Sequence, residues 1–191
     1  MSYEKSYYET DNYENYASRE QRYHQLAAEV LQLLKQINLI TAESSIIDYG
    51  CAFGFLMKGL RENGQLNVQG FDISEYAATQ VQKHGFNLLS KPDGKYDVMF
   101  ALDVLEHMTD DQLDDLFKCV DASILIGRIP VSTDGIDFHL AVSRKDNTHI
   151  NCKTKEQWMR VISGFGYTTI FRINLYSIYD SDGVFCFLSI K

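Results

Sequence analysis

Apolar positions along the chain recur on helical and strand periods in alternation. From Ser18 the spacing is helical: Leu26, Val30, Leu33, Leu34 and Ile37 share one face, and Ser18 with Gln21 reads as a capping box. A strand is expected over Ser45–Asp48, a helix over about Gly54–Asn63 and a second strand over Asn67–Phe71. Ser74 suits the N-cap of a helix reaching about Lys83, and a short strand is expected at Asn87–Ser90. Tyr96–Leu102 is a continuous apolar run, as in a central strand covered on both faces. Thr109 with Gln112 caps a helix bearing Leu113, Leu116, Phe117 and Val120. Ser123–Ile129 reads as another buried strand, ended by Pro130.

Residues 131–153 carry no clean period, and a connection of that length is more often functional than spare. Thr154 with Gln157 then caps a helix with Trp158, Val161, Ile162 and Phe165 on its core side. Tyr167–Tyr176 and Gly183–Ile190 close the chain as two strands around the turn-rich Asp180-Ser181-Asp182-Gly183. Strands alternating with helices predict an α/β fold with a mostly parallel sheet. A single domain over 1–191 is expected, with an N-terminal arm at 1–20 and a long loop at 131–153.

Composition adds boundaries. The 191 residues are 45% hydrophobic and 23% charged, ordinary for a globular domain. A net charge of −8 argues against a broad nucleic-acid face, which relies on clustered Lys and Arg. Cys51, Cys119, Cys152 and Cys186 lie far apart without a Cys-x-x-Cys pair, which fits reduced thiols. The polar start Met1-Ser2-Tyr3-Glu4-Lys5 predicts no signal peptide, and no apolar run nears the ~20 residues that span a bilayer. A cytoplasmic protein is expected. Six of the twelve tyrosines (Tyr3, Tyr7, Tyr8, Tyr13, Tyr16 and Tyr23) crowd the first 23 residues, either packed on the domain or as a flap over a ligand.

Candidate chemistry centres on Asp48-Tyr49-Gly50-Cys51-Ala52-Phe53-Gly54. An apolar strand delivers an acid, Gly50 allows a tight turn, and Gly54 lets a helix begin close to the strand. Asp72 ends the next strand at the spacing of a ribose hydroxyl acceptor, and Asp103 follows a later one. The dinucleotide fingerprint G-x-G-x-x-G is missing. A carboxylate at Asp48 sits poorly beside a pyrophosphate and well beside an ammonium and a sulfonium, which favours S-adenosylmethionine over NAD.

These pieces resemble class I S-adenosylmethionine-dependent methyltransferases, within the broad group that includes the ubiquinone-pathway O-methyltransferases. The matching segments are Asp48 to Gly54, Phe71-Asp72-Ile73-Ser74, Tyr96 to Phe100 with Asp103-Val104-Leu105-Glu106-His107, and Thr148-His149-Ile150-Asn151 with Thr154 to Trp158 and Gly166-Tyr167. The resemblance spans roughly residues 42–170. It implies a Rossmann-like three-layer sandwich with a seven-stranded sheet, mostly parallel, its last strand antiparallel. It also implies a cofactor site of Asp48, Gly50, Cys51, Ala52 and Gly54 in the loop, Asp72 and Ile73 at the ribose, and Leu102 and Asp103 beyond. The family usually carries an adenine-contacting acid or polar group after its third strand; here Asn87 to Pro92 offers only Ser90.

Methyl transfer is an in-line displacement that rewards alignment and needs a base only for a protonated acceptor of high pKa. His107 and His149 are the catalytic candidates. In the ubiquinone-pathway relatives an acid-x-x-Glu-His set can hold a divalent cation, which here means Asp103, Glu106 and His107, with His149 able to complete it. The same motif serves metal-independent relatives, so no metal is the first expectation. His139, Arg144 and Lys145 share the long loop, where the cations either meet an anionic acceptor or keep the loop solvated. The function expected is methylation of a small molecule, at oxygen before nitrogen, releasing S-adenosylhomocysteine, by a monomer or homodimer. A catalytically silent binding subunit and a macromolecule (RNA or protein) methyltransferase are the alternatives.

Overall fold

A computed structural model describes residues 3–11 and 15–191, in two compact units. The expectation for Tyr13 lies outside the described residues.

The first unit runs to Pro92 and includes Leu175–Ser177. Its helix α1 (Glu20–Gln36) buries Leu26, Ala27, Val30 and Leu34 as the period predicts, but Ile37 caps the helix half-exposed. The Ser18 capping box does not form. A 3-10 turn at Tyr16–Arg19 precedes α1, Arg19 takes the N-cap, and the Ser18 hydroxyl donates to the Asn15 carbonyl instead. Then follow β1 (Ile46–Tyr49), α2 (Phe55–Glu62), β2 (Val68–Phe71) and α3 (Glu75–Lys83), with β1 and β2 parallel and Asp48 opposite Gly70. Helices α1 and α2 touch at Gly59, where a Cβ would stand 2.8 Å from that of Ala27 and 2.9 Å from the His24 backbone. Any larger residue would push the helices apart.

The strand expected at Asn87–Ser90 is absent, so the described residues hold six strands rather than seven. One backbone bond survives, Leu89 N–H to the Gly70 carbonyl at 2.9 Å. The segment lies between Gly85 and Pro92, too short to continue a ladder before proline removes a donor.

The second unit holds β3 (Gly94–Leu102), α4 (Asp110–Cys119), β4 (Val120–Pro130), α5 (Ala141–Lys145), α6 (Lys155–Gly164), β5 (Thr169–Arg172) and β6 (Val184–Ile190). Its strands run in the order β3-β4-β6-β5. Strands β3 and β4 are parallel, and the last strand β6 is antiparallel to both neighbours, as expected. Both predicted capping boxes, Thr109–Gln112 and Thr154–Gln157, are complete. Trp158 is fully buried in the core role expected of it. Residues 131–153 are more ordered than their aperiodic sequence suggests: they contain α5, and Ser132 bridges both Phe138 and Thr154. No helix among the described residues is long and apolar enough to cross a membrane.

Candidate functional site

In the first unit, β1 carries Asp48 almost wholly buried. Burial first, and the nearby Asp72 charge second, push its carboxyl up to about 8, so the acid is largely protonated at neutral pH. Beyond the strand the backbone turns through Gly50 (φ 76°), Ala52 (φ 47°) and Gly54 (φ 75°). The Gly50 and Cys51 amides both donate to the Phe71 carbonyl, at 2.8 and 3.1 Å, fixing the loop to the end of β2. Asp72 then holds the loop from the other side: one carboxylate oxygen accepts from Ala52 N–H and the other from Ser74 N–H, each at 2.8 Å. A carboxylate has about four lone-pair directions, so two amides leave room for hydroxyl donors such as a ribose diol. Burial raises the Asp72 carboxyl despite those amides. Ile73 is 66% exposed beside it, an apolar surface a nucleoside could cover. Burial also pushes the Cys51 thiol up, which removes thiolate chemistry from the loop.

In the second unit, β3 ends at the half-buried Leu102 and the chain turns through Asp103 in the left-handed region (φ 56°). Asp103 does not stand alone. Its amide donates to the Arg128 carbonyl at 2.7 Å, and its carboxylate is ion-paired with the Arg128 guanidinium. A lone charge inside the apolar run Ser123–Ile129 was the sequence signal for Arg128.

A 3-10 turn at Leu105–His107 brings Glu106 and His107 to His149. The Glu106 carbonyl accepts from the Ile150 and Asn151 amides at 3.0 and 2.9 Å, which ties the 146–151 segment to the turn. His107 Nδ1 lies 3.1 Å from the Thr148 carbonyl, and His149 Nδ1 lies 3.0 Å from the Ser143 carbonyl. A carbonyl only accepts, so each Nδ1 carries the proton and each ring presents Nε2 as its lone-pair nitrogen. Both Nε2 atoms sit 3.9 Å from one Glu106 oxygen, and Asp146 Oδ2 lies 3.5 Å from that of His149. Burial holds His107 down, to about 4, with His149 adding to the effect, and burial also lowers His149. Neither ring is an imidazolium at neutral pH, so these contacts are not ion pairs. Burial, then Asp103, raises Glu106 well above the carboxylate range.

The donor set fits a divalent cation. Glu106 is fully buried, yet neither carboxylate oxygen has a hydrogen-bond partner among the described residues. Two imidazole lone pairs and a carboxyl, mutually within 4.8 Å, form a group of acceptors that a cation would satisfy. Backbone carbonyls on both Nδ1 atoms supply the outer support that orients histidine ligands. Asp103, expected with this set, is instead held by Arg128, and the sequence reading passed over Asp146. Arg144, one of the loop cations, donates to the Phe138 and His139 carbonyls at 2.6 and 2.8 Å.

Comparison with known proteins now places the chain. A family described as a methyltransferase domain matches residues 18–170. The chain belongs to that family. The expected resemblance to class I S-adenosylmethionine-dependent methyltransferases is thereby borne out. Among solved structures, this methyltransferase is similar to a SAM-dependent methyltransferase from Archaeoglobus fulgidus, with 15% identity, TM-score 0.63, and coverage of 92% of this chain and 99% of that one. It is similar too to magnesium protoporphyrin IX methyltransferase from Synechocystis PCC 6803 with bound SAH, with 20% identity, TM-score 0.61 and coverage of 92% and 84%. A third likeness is to the methyltransferase domain of bacterial CtHen1-C, at 18% identity, TM-score 0.59 and coverage of 90% and 97%. At these identities the likeness speaks for the fold. No curated protein matches the chain.

Proposed function

We propose that this methyltransferase moves the methyl group of S-adenosylmethionine onto an oxygen of a small-molecule acceptor. Asp48, the Gly50–Gly54 loop and Asp72 hold the cofactor, and Glu106, His107 and His149 serve the acceptor. The observation that carries the reading is the buried Glu106 carboxyl, without hydrogen-bond partners among the described residues and faced by two neutral imidazoles. The net charge of −8 supports a small acceptor over a nucleic acid.

In the reaction the acceptor oxygen attacks the methyl carbon in line. S-adenosylmethionine held by the Asp48–Asp72 loop would supply the methyl group, the C–O bond forming as the S–CH3 bond breaks with the electron pair left on sulfur, and with no cation bound His107 or His149 would take the acceptor proton at Nε2. With His107 held at about 4, such a ring takes a proton only from an acidified hydroxyl. That favours a phenol, an enol or a polarised hydroxyl over a simple alcohol. A divalent cation bound by Glu106, His107 and His149 would occupy both Nε2 lone pairs; it would supply Lewis-acid polarisation of that hydroxyl in place of the imidazole base, and the proton would leave to solvent.

The test combines labelled S-adenosylmethionine with a host extract separated by size into small-molecule and macromolecular fractions, the latter assayed with and without nuclease. Label should enter small molecules, and Glu106→Gln or His149→Ala should cut the rate by roughly 100-fold or more while S-adenosylhomocysteine affinity is kept. Label appearing only in protein or RNA, or wild-type rates in both variants, would defeat the reading.

A further inference from the structure

The N-terminal arm buries its tyrosines against the glycine loop. Tyr7 and Tyr8 are 8% and 4% exposed, although the arm around them is polar. Phe53, inside that loop, has the Tyr8 and Tyr16 rings each 5.0 Å away, and Tyr16 stacks on Phe55 at 5.7 Å. Polar contacts join the same surfaces. The Ser74 hydroxyl donates to the Tyr3 carbonyl at 2.6 Å while capping α3, and the Tyr76 phenol donates to Glu9 at 2.8 Å. The Tyr8 ring also lies 6.0 Å from the Tyr76 ring on α3, and the Asp72 charge acts on its phenol. Burial, then the Asp72 charge, raises that phenol, so it keeps its proton and remains a donor.

A buried tyrosine ring thus lies against Phe53 of the glycine loop, next to Ala52, whose amide Asp72 holds. Packing alone does not call for a hydroxyl in that position, since Phe would fill the same aromatic cluster without a polar atom to satisfy. We propose that Tyr8 is a cofactor-site residue: it closes the nucleoside side of the site beside Asp72 and sets how tightly S-adenosylmethionine is held. This rests on the reading of the Asp48–Asp72 loop as the cofactor site. The arm is then part of the binding surface rather than a leader packed on its outside.

Titration calorimetry with S-adenosylhomocysteine tests it on wild type, Tyr8→Phe and Tyr8→Ala. Methylthioadenosine, which keeps the nucleoside and lacks the amino-acid part, serves as the second probe. Tyr8→Phe should weaken both ligands alike by roughly 2- to 10-fold, the size of one neutral hydrogen bond, and Tyr8→Ala by more. The S-adenosylmethionine KM should rise with little change in kcat, and the ligand-free melting temperature of Tyr8→Phe should stay near wild type. Where Tyr8→Ala fails to fold, Tyr8→Phe decides alone. Wild-type affinity in Tyr8→Phe for both ligands overturns the proposal while leaving the cofactor reading intact. Loss of S-adenosylhomocysteine affinity with methylthioadenosine unaffected overturns the nucleoside-side placement. A wild-type protein that binds neither ligand overturns both readings.

Discussion

Asp48 illustrates how a residue can stand out in the sequence while its protonation state stays hidden there. Its position between an apolar run and Gly50 marked it for the cofactor, and the strand β1 delivers it to the loop. What the sequence could not carry is its depth: enclosure and the Asp72 charge lift it to about 8, so the ligand-free acid holds its proton at pH 7. A cationic ligand favours the carboxylate, so binding lowers this value and expels a proton. S-adenosylmethionine affinity should therefore climb as pH rises from 6.5 through about 8 and level off above it. Asp48→Asn, which mimics the protonated form, should bind more weakly at pH 8.5 and lose most of the pH slope. Calorimetry in buffers of different ionisation enthalpy reads the released proton directly. An unchanged slope in Asp48→Asn would assign the titration elsewhere.

At the level of elements, the capping boxes test how local signals translate into structure. Thr109 and Thr154 each accept from the amide three residues on, and Gln112 and Gln157 return the bond. Replacing either threonine by alanine should cost about 1 kcal/mol, within a range of about 0.5–2, in urea unfolding with an unchanged m-value. Thr154→Ala carries a second consequence, because α6 follows the segment that places His149 against Glu106. The same Ser/Thr-x-x-Gln pattern at Ser18 failed, since Tyr16 stacks on Phe55 and winds the chain into a 3-10 turn before α1 begins. Helix and strand periods were legible because they follow from burial of one face, as in Leu26, Val30 and Leu34. The strand at Asn87–Ser90 was not, because four residues before a proline carry too little pattern to separate a strand from a single hydrogen bond. Arg128 and Asp146 were missed for another reason: their roles depend on partners 25 residues away or on a loop fold that no period encodes.

For the molecule as a whole, the two candidate sites make stability depend on pH in a direction that ligands should reverse. Asp48, Asp72 and Glu106 are raised by burial, so the folded chain holds protons that unfolded carboxyls release near 4. Their contribution is full below about 4 and is lost as pH climbs toward the folded values, about 8 for Asp48. His107 and His149 are lowered, so the unfolded chain takes up protons first as pH falls below about 6.5, and their contribution is lost on the acid side. Unfolded histidines are still about half protonated at pH 6.5, but three raised acids outweigh them there, and by about 7.5 the histidines are neutral in both states and the buried acids set the slope. The melting temperature of the ligand-free protein should then fall between pH 6.5 and 8.5. S-adenosylmethionine at the first site and a divalent cation such as Mn2+ at the second each favour an ionised carboxylate. Their stabilisation, RT ln(1 + [L]/Kd), should accordingly grow with pH and flatten the fall. Glu106→Gln should remove the growth seen with Mn2+ and keep that seen with S-adenosylmethionine, and Asp48→Asn should do the converse. Thermal scans at four pH values with each ligand alone separate the two sites. A ligand-free melting temperature that rises across this window, or ligand gains that do not vary with pH, would mean that these buried acids are not where the ligands bind.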